Sequence, residues 1–169
     1  MLARTRLPIF FSSIDMSEAD ALPAVVFRVG DLVCAVPAGR IREVLDRLPA
    51  TRIPGVPFAV EGLVNVRGGL LTVADAHALL GRPMRPEDEG AILVLDFAGR
   101  RFGLAVSQVL DFVEFPPGSI SPRDELPGVD PALVRAVAAR DDRHFILLDI
   151  DALLAPMAGG NPEPLGGGQ

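Results

Sequence analysis

The residues that could carry catalysis or hold a metal are few and lie far apart in the sequence. The two histidines, His77 and His144, have no second histidine or cysteine at the spacing of a metal site. Asp149 and Asp151 form the best carboxylate pair, and with His144 they would be the acids and base of a small hydrolase. Asp149 is better explained as the cap of the helical turn that follows it. The sequence therefore predicts a protein that is not an enzyme and uses no cofactor or metal, with the hydrolase as a remote alternative.

Arg67 offers chemistry of a different kind, because a guanidinium group is a rigid fork of donors that fits a carboxylate. It follows an apolar segment and precedes Gly68 and Gly69, which places it at the tip of a turn with its side chain partly exposed. Its partner would be a carboxylate of another protein or an acid of this chain such as Glu43. From residue chemistry alone, an ordinary solvated turn arginine is the simpler interpretation.

The turn that carries Arg67 joins two apolar segments, 63–66 and 70–73, and this pattern predicts a β-hairpin. Asp75 follows the second segment, where its carboxylate can cap a short helical turn over residues 76–80. The same order of strand, aspartate and Ala-Leu-Leu turn recurs at Asp149. The chain is therefore predicted to consist of two similar halves.

Alternating apolar segments on either side of short turns predict further strands. Hairpins are expected over residues 25–36, 92–106 and 133–149, and a single strand over residues 109–115. Residues 40–45 fit either a short helix or a strand, 47–58 an extended segment, and 116–131 a loop. Many short strands and little helix predict an all-β fold built of barrels or curled sheets.

The composition of the chain restricts the class of protein, the kinds of partner it can bind and the compartment in which it is expected. Apolar residues are 49% of the 169 residues, enough for a buried core, and 17 glycines with 16 prolines indicate many turns. The net charge of −6 argues against nucleic acid as a partner, since phosphate binding needs a concentrated basic face. No apolar run reaches the ~18 residues of a membrane span, and the lone Cys34 fits a small buried residue in a reducing compartment. A cytoplasmic protein without direct membrane insertion is predicted.

The two ends of the chain lack the apolar periodicity of the middle. Residues 1–22 are predicted to form a mobile N-terminal tail, and residues 158–169 a disordered C-terminal tail rich in glycine and proline. Met16 would serve as a translation start as well as Met1, so the sequence leaves the start open.

Asn65-x-Arg67-Gly68, ahead of a strand that ends in Asp75, is the most specific motif between the tails. Together with the order of segments before it, this motif resembles the CheW-type coupling proteins of bacterial chemosensory arrays. The resemblance implies an all-β domain over residues 23–157, made of two SH3-like five-stranded β-barrel subdomains with short helical turns. The first subdomain would span about 24–82, the second about 90–150, and a closing helical turn 150–157.

The resemblance also implies a function, that of a non-enzymatic adaptor with two protein-binding faces. One face would bind the regulatory domain of a CheA-type histidine autokinase, and the groove between the barrels would take the helical cytoplasmic tip of a methyl-accepting chemoreceptor. The partner-binding positions that the family pattern implies are Ile41, Glu43, Val44, Gly62, Asn65 and Arg67. On the residues alone, Ile41 and Val44 are also candidates for the core, and Gly62 for a strand bulge.

Four residues depart from what the family usually has. Thr72 stands in place of a proline, Ala76 and His77 in place of Leu-Arg, and Ala136 in place of a frequent glycine. These departures leave open a close alternative, a CheW-like protein that has lost one partner contact and acts in a separate or inhibitory branch.

Overall fold

The computed structural model describes residues 21–83, 90–122 and 128–159. Most of the two predicted tails lies outside these residues, and so do both candidate starts, Met1 and Met16. Within them, Leu22 already begins the first strand and the last helix continues to Gly159. The elements are β1 (Leu22–Val29), β2 (Leu32–Pro37), β3 (Ile41–Asp46), β4 (Val60–Val66), β5 (Gly69–Asp75), α1 (Ala76–Leu79), β6 (Ala91–Phe97), β7 (Arg100–Val106), β8 (Gln108–Phe115), β9 (Ile120–Pro122), β10 (Val134–Arg140), β11 (Arg143–Leu148) and α2 (Ile150–Gly159).

The strands form two sheets, as the all-β prediction requires. One sheet has six strands in the order β8-β1-β2-β11-β10-β9, and the other has five in the order β3-β6-β7-β5-β4. All four predicted hairpins are present as antiparallel pairs. Both sheets curl, since β8 and β10 approach each other in the first and Thr51, beyond β3, bridges to Leu63 of β4 in the second.

The division between the sheets does not coincide with the expected division of the chain at residues 82–90. The six-stranded sheet combines β1 and β2 with β8 to β11, whereas the five-stranded sheet runs from β3 to β7. Strands from before residue 82 pair with strands from after residue 90 in the antiparallel pairs β1–β8 and β3–β6 and in the parallel pairs β2–β11 and β5–β7. A hairpin is encoded by neighbouring residues, but the partners of its outer edges are chosen by tertiary packing, which the repeat pattern does not contain.

Residues 40–45, for which the sequence allowed a helix or a strand, form β3. Its side chains alternate between half-buried and exposed along the whole strand, and it pairs antiparallel with β6. The register shifts between Ile41 and Glu43. The β-branched Ile41 and Val44 favour a pleated, half-buried surface over a single helical turn.

The turn between β4 and β5 consists of Arg67 and Gly68, and Gly69 already belongs to β5. Both turn residues have positive φ, 50° at Arg67 and 87° at Gly68, as in the two-residue turns that match the twist of a hairpin. The left-handed conformation was expected at the glycines, and the structure also imposes it on Arg67.

The rest of the chain departs little from expectation. The loop predicted over 116–131 contains the short strand β9, which pairs with β10. Both aspartates cap as predicted, since Asp75 Oδ1 accepts the His77 backbone N–H at 2.8 Å and Asp149 Oδ1 accepts that of Ala152 at 3.1 Å. The closing helical turn expected at 150–157 is two residues longer, as α2.

The largest core cluster is shared by the two sheets. It joins Phe27 of β1 to Leu95 and Leu104 of the five-stranded sheet and to Leu153 of α2, all fully buried. Cys34 belongs to this cluster, and burial raises the pKa of its thiol to about 12, so it is a core residue as predicted. The common core fixes how the two barrels sit against each other.

Among the described residues, no helix has the length and apolar character needed to cross a membrane.

Candidate functional site

A groove of about 390 Å³ runs between the two barrels, with β3 on one side and β8 on the other. These strands are the outermost members of their sheets, so the groove lies between two sheet edges. Its walls are mostly apolar, with Val25, Ile41, Val44, Val109, Leu110 and Phe112 among the lining residues.

Large apolar side chains are exposed on both walls of this groove. Val44 on β3 is 47% exposed and Phe112 on β8 is 65% exposed. Charged residues follow the same strands, namely Arg42, Glu43 and Asp111. Arg42 is held by an ion pair between its Nε and Asp96 at 2.7 Å. An apolar floor with a charged rim is the usual make-up of a protein-binding surface.

Arg67 reaches the rim of the groove through Glu43. Its Nη1 donates to Glu43 Oε2 at 2.9 Å and its Nη2 donates to Glu43 Oε1 at 2.8 Å, a two-point contact that fixes both side chains. This hydrogen bonding by Arg67 lowers the pKa of the Glu43 carboxyl and raises that of the arginine. Arg67 therefore binds an acid of its own chain while 68% of its side chain stays exposed. We call this pair the clasp.

The clasp lies at the junction between residues 43–51 and residues 61–67, which closes the five-stranded barrel and which we call the seam. Two further contacts hold the seam. Thr51 and Leu63 exchange backbone hydrogen bonds of 2.8 and 2.9 Å. Arg47 and Glu61 form an ion pair whose side chains are only 11% and 15% exposed. The clasp thus joins the tip of the β4–β5 hairpin to β3, the strand that forms one wall of the groove.

Gly62 belongs to this seam and is buried. It lies at a bulge in β4, where the register against β5 shifts, and its φ is 149°. A Cβ at this position would stand 2.3 Å from the Thr51 carbonyl oxygen. The bulge interpretation is therefore confirmed, and the space beside the Gly62 Cα is filled by Thr51 of this chain.

Asn65 also acts within the chain. Its Oδ1 accepts the Gly68 backbone N–H at 3.0 Å, which closes the turn that presents Arg67. Of the six positions that the family pattern implied, the structure brings Ile41, Glu43 and Val44 to the groove and attaches Arg67 to it through Glu43, whereas Asn65 and Gly62 are not part of its lining.

Sequence reasoning missed the β8 wall of the groove. Val109, Leu110 and Phe112 were recognised as parts of a strand but not as parts of a site. The available signal was the position of Phe112 next to Asp111 and two residues before Glu114, on the polar side of an alternating strand. An aromatic residue among acids on that side is unusual, but nothing in the sequence pairs β8 with β3.

The clasp predicts a measurable shift in the titration of Glu43. Because Arg67 stabilises the ionised carboxylate, the clasp is present at neutral pH and is lost as the pH falls through the lowered pKa of Glu43. We expect Arg67→Gln to return this pKa toward its ordinary value. The measurement is a pH titration followed by NMR of the side-chain carboxyl carbon of Glu43. Asp46, an exposed acid on the same strand, is the internal reference. An unchanged Glu43 titration in Arg67→Gln would show that the pair does not persist in solution.

The residues of the hydrolase alternative are not brought together. His144 stands near the start of β11 and Asp149 just past its end, roughly 16 Å away at ~3.3 Å per strand residue. Asp149 caps α2, and Asp151 pairs with Arg40 at 3.0 Å. This combination of acids and base is therefore ruled out as a single site.

A buried Asp-His-Ser network was also missed, since Ser107 lies 30 residues beyond His77 in the sequence. Between the ring of His77 and its neighbours, Nδ1 is 3.0 Å from Asp75 Oδ1 and Nε2 is 2.8 Å from Ser107 Oγ. Ser107 Oγ also accepts the Gly30 backbone N–H at 3.0 Å. All three side chains are buried. The serine oxygen is bonded on two sides inside the protein, so the network ties structural elements together and does not present a nucleophile to a substrate.

Comparison with known proteins gives these sites a context. The family model described as the CheW-like domain matches residues 23–156. The chain is 30% identical over 131 residues to the chemotaxis protein CheW of Rhizobium meliloti, covering 76% of this chain and 84% of that protein. It is 34% identical over 108 residues to the protein PilI of Pseudomonas aeruginosa, covering 63% of this chain and 60% of PilI.

The fold has a counterpart among solved structures. The crystal structure of the scaffolding protein TtCheW from Thermoanaerobacter tengcongensis superposes with a TM-score of 0.73 at 26% identity, covering 79% of this chain and 92% of TtCheW. The predicted fold class, all-β with two SH3-like barrels, is confirmed by this likeness and by the two sheets.

Proposed function

Because this chain belongs to the CheW-like domain family of chemotaxis scaffold proteins, we propose that it is a cytoplasmic, non-enzymatic adaptor that couples chemoreceptor tips to a CheA-type histidine autokinase. The groove would take the helical hairpin of a receptor tip, and a second face would bind the regulatory domain of the kinase. Signal transfer through such an adaptor needs no cofactor. It needs only that the state of the receptor changes the geometry of the complex, a coupling of ~1–3 kcal/mol.

The observation that carries this proposal is the pair of exposed apolar walls on β3 and β8. An amphipathic helix buries one apolar stripe, and it docks where two walls leave an elongated apolar floor between them. Val44 and Phe112 supply the walls, and Ile41 and Leu110 belong to the lining between them. The clasp fixes Glu43 at the rim, where its charge can select the polar side chains that flank the helix.

Two other exposed apolar residues support a separate kinase-binding face. Leu70 is 70% exposed next to the turn that carries Arg67, and Phe58 is 84% exposed in the connection from β3 to β4. Neither belongs to the lining of the groove. Both belong to the five-stranded barrel, which would pair with the related domain of the kinase through an apolar face.

The departures from the family pattern do not lie on the walls of the groove. His77 and Ala136 are buried, and so is Ala76, while Thr72 is half-buried within β5. Both ring nitrogens of His77 are hydrogen-bonded inside the protein, to Asp75 and to Ser107. These substitutions therefore leave the lining of the groove unchanged, and binding measurements with both partners separate an adaptor that keeps both contacts from one that has lost a partner.

We expect Phe112→Asp and Val44→Asp to weaken binding to a receptor-tip fragment at least ~tenfold, because each puts a charge into an apolar contact. Leu70→Asp is the matched control, since it changes an equally exposed residue outside the groove. It should spare receptor binding and weaken binding to the kinase regulatory domain. Calorimetry with each fragment gives the affinities, and melting curves should stay near wild type because all three side chains are exposed.

Two outcomes of this experiment would contradict parts of the proposal. Folded Phe112→Asp and Val44→Asp proteins that bind the receptor tip as wild type does would show that the groove is not the receptor site. A wild-type chain that binds only one of the two fragments would identify the branch-specific alternative.

A further inference from the structure

A second cavity, of about 260 Å³, opens beside β8 at the end of the six-stranded barrel. Its apolar lining includes Val26, Val113 and Phe145, which are buried members of the core cluster of that barrel. Leu110 and Asp111 border both this cavity and the groove, so the two are neighbours along β8. The proposed adaptor function does not use this cavity.

The rim of the cavity is formed by arginines. Arg140 and Arg143 are directly opposite each other in the register of β10 and β11, on either side of the Asp141-Asp142 turn. Like charges at directly opposed positions destabilise a hairpin. Neither arginine forms an ion pair with an acid of the described chain, and the Arg143 guanidinium carbon lies 5.9 Å from the centre of the Phe145 ring. An anion between them would relieve the repulsion.

The remaining charges of the lining leave a positive excess. Arg28 is the third arginine, and its Nη1 donates to Gln108 Oε1 at 2.7 Å, which leaves its other N–H groups available. Asp111 and Asp141 are the acids, and Asp111 Oδ1 accepts the Phe112 backbone N–H at 2.7 Å. Three arginines against two aspartates is a local reversal in a chain whose net charge is −6.

We propose that this cavity binds a carboxylate carried by a small apolar body. The arginines supply planar donors that fit a carboxylate, and Phe145 with its two valine neighbours supplies an apolar floor behind them. At about 260 Å³ the cavity is smaller than the ~300–1,000 Å³ of ordinary ligand pockets, so it suits a group the size of one side chain. Two sources carry that chemistry, a free small acid and the C-terminal residue of a peptide chain.

The test uses the whole chain and two pairs of probes followed by NMR of backbone and arginine side-chain N–H groups. The first pair is 3-phenylpropionate and its neutral amide, and the second is acetyl-Gly-Gly-Phe with a free or an amidated C-terminus. We expect at least one acid to shift Arg140, Arg143 and Phe145 saturably, with a dissociation constant near ~1 mM, and its amide to bind about tenfold more weakly. Saturation by the free acid alone identifies a small-molecule ligand, and tighter binding of the peptide acid identifies a chain end.

The double substitution Arg140→Gln with Arg143→Gln should abolish binding of both acids. Arg100→Gln is the matched control, because Arg100 is also an exposed hairpin arginine over a ring, 5.3 Å from the centre of Phe102. It should leave binding unchanged. The proposal is overturned if neither acid saturates, if the amides bind as well as the acids, or if the folded double variant binds as wild type does.

Discussion

We expect Gly62→Ala to lower the free energy of unfolding by about 3–5 kcal/mol. Two effects add at this position. With φ at 149°, the backbone has a conformation that is nearly confined to glycine, and imposing it on alanine costs ~1–3 kcal/mol. The added Cβ would also stand 2.3 Å from the Thr51 carbonyl oxygen and 2.8 Å from its carbon, so the Thr51–Leu63 bridge must open and lose hydrogen bonds worth ~0.5–1.5 kcal/mol each.

Chemical denaturation of Gly62→Ala gives this number, and Gly39→Ala is its control. Gly39 has no positive φ, and a Cβ there would meet nothing within 4 Å, so its substitution should change stability by less than ~0.5 kcal/mol. A Gly62→Ala protein that is as stable as Gly39→Ala but no longer binds its partners would show that Gly62 contacts a partner and that its role is not confined to the bulge.

The seam also explains how a buried glycine can matter for function. If Thr51 and Leu63 separate, the five-stranded barrel loosens where β3 meets the β4–β5 hairpin. Arg67 and Glu43 stand on those two elements, so the clasp would be lost with the bridge. Gly62→Ala is therefore expected to impair the groove indirectly, through the position of β3.

Local features of this fold were readable from the sequence because neighbouring residues encode them. The hairpin around Arg67 follows from two apolar segments and a glycine turn, and the caps at Asp75 and Asp149 follow from an acid before an Ala-Leu-Leu turn. Each of these features depends on hydrogen bonds between residues a few positions apart. The residues that form the structure are therefore the same ones that make up the sequence pattern.

What could not be read depends on contacts between distant segments. The groove needs β3 beside β8, and the sequence places these strands about sixty residues apart with no mark of their proximity. The clasp needed only a short separation, 24 residues, and Glu43 was named as a candidate partner of Arg67. For Gly62 the sequence allowed either a strand bulge or a contact with a partner. It could not decide between them, because a sequence does not show which distant residue packs against a glycine.

The Asp75-His77-Ser107 network is the clearest case of a distant contact, and it carries the other large effect that we expect. Ser107 lies between β7 and β8. Its backbone N–H donates to the backbone carbonyl oxygen of Arg28 in β1 at 2.9 Å, and its Oγ accepts the backbone N–H of Gly30 in the β1–β2 turn. Asp75 ends β5 of the other sheet. His77 is bonded to both, so one imidazole connects the two barrels whose edges form the groove.

One assignment of protons satisfies every group of this network. In this assignment Nδ1–H donates to Asp75, and Nε2 accepts the hydroxyl proton of Ser107, whose oxygen accepts from Gly30. Removing one member leaves its neighbours buried without partners, and each such group costs ~1–3 kcal/mol, more if it is charged. The cost of a substitution at this network therefore exceeds the value of the single bond that it removes.

We accordingly expect His77→Ala to lower the free energy of unfolding by about 3–5 kcal/mol and Ser107→Ala by about 1–3 kcal/mol. His144→Ala is the matched control, since the second histidine is exposed, and it should change stability by less than ~0.5 kcal/mol. In the double variant the two losses should add to more than the observed total, because the His77–Ser107 bond is counted in both. Strict additivity, or a His77→Ala protein as stable as His144→Ala, would mean that the imidazole does not hold the barrels together. A destabilised but folded His77→Ala protein should also bind receptor tips more weakly, although position 77 does not line the groove, because the distance between its walls depends on this junction.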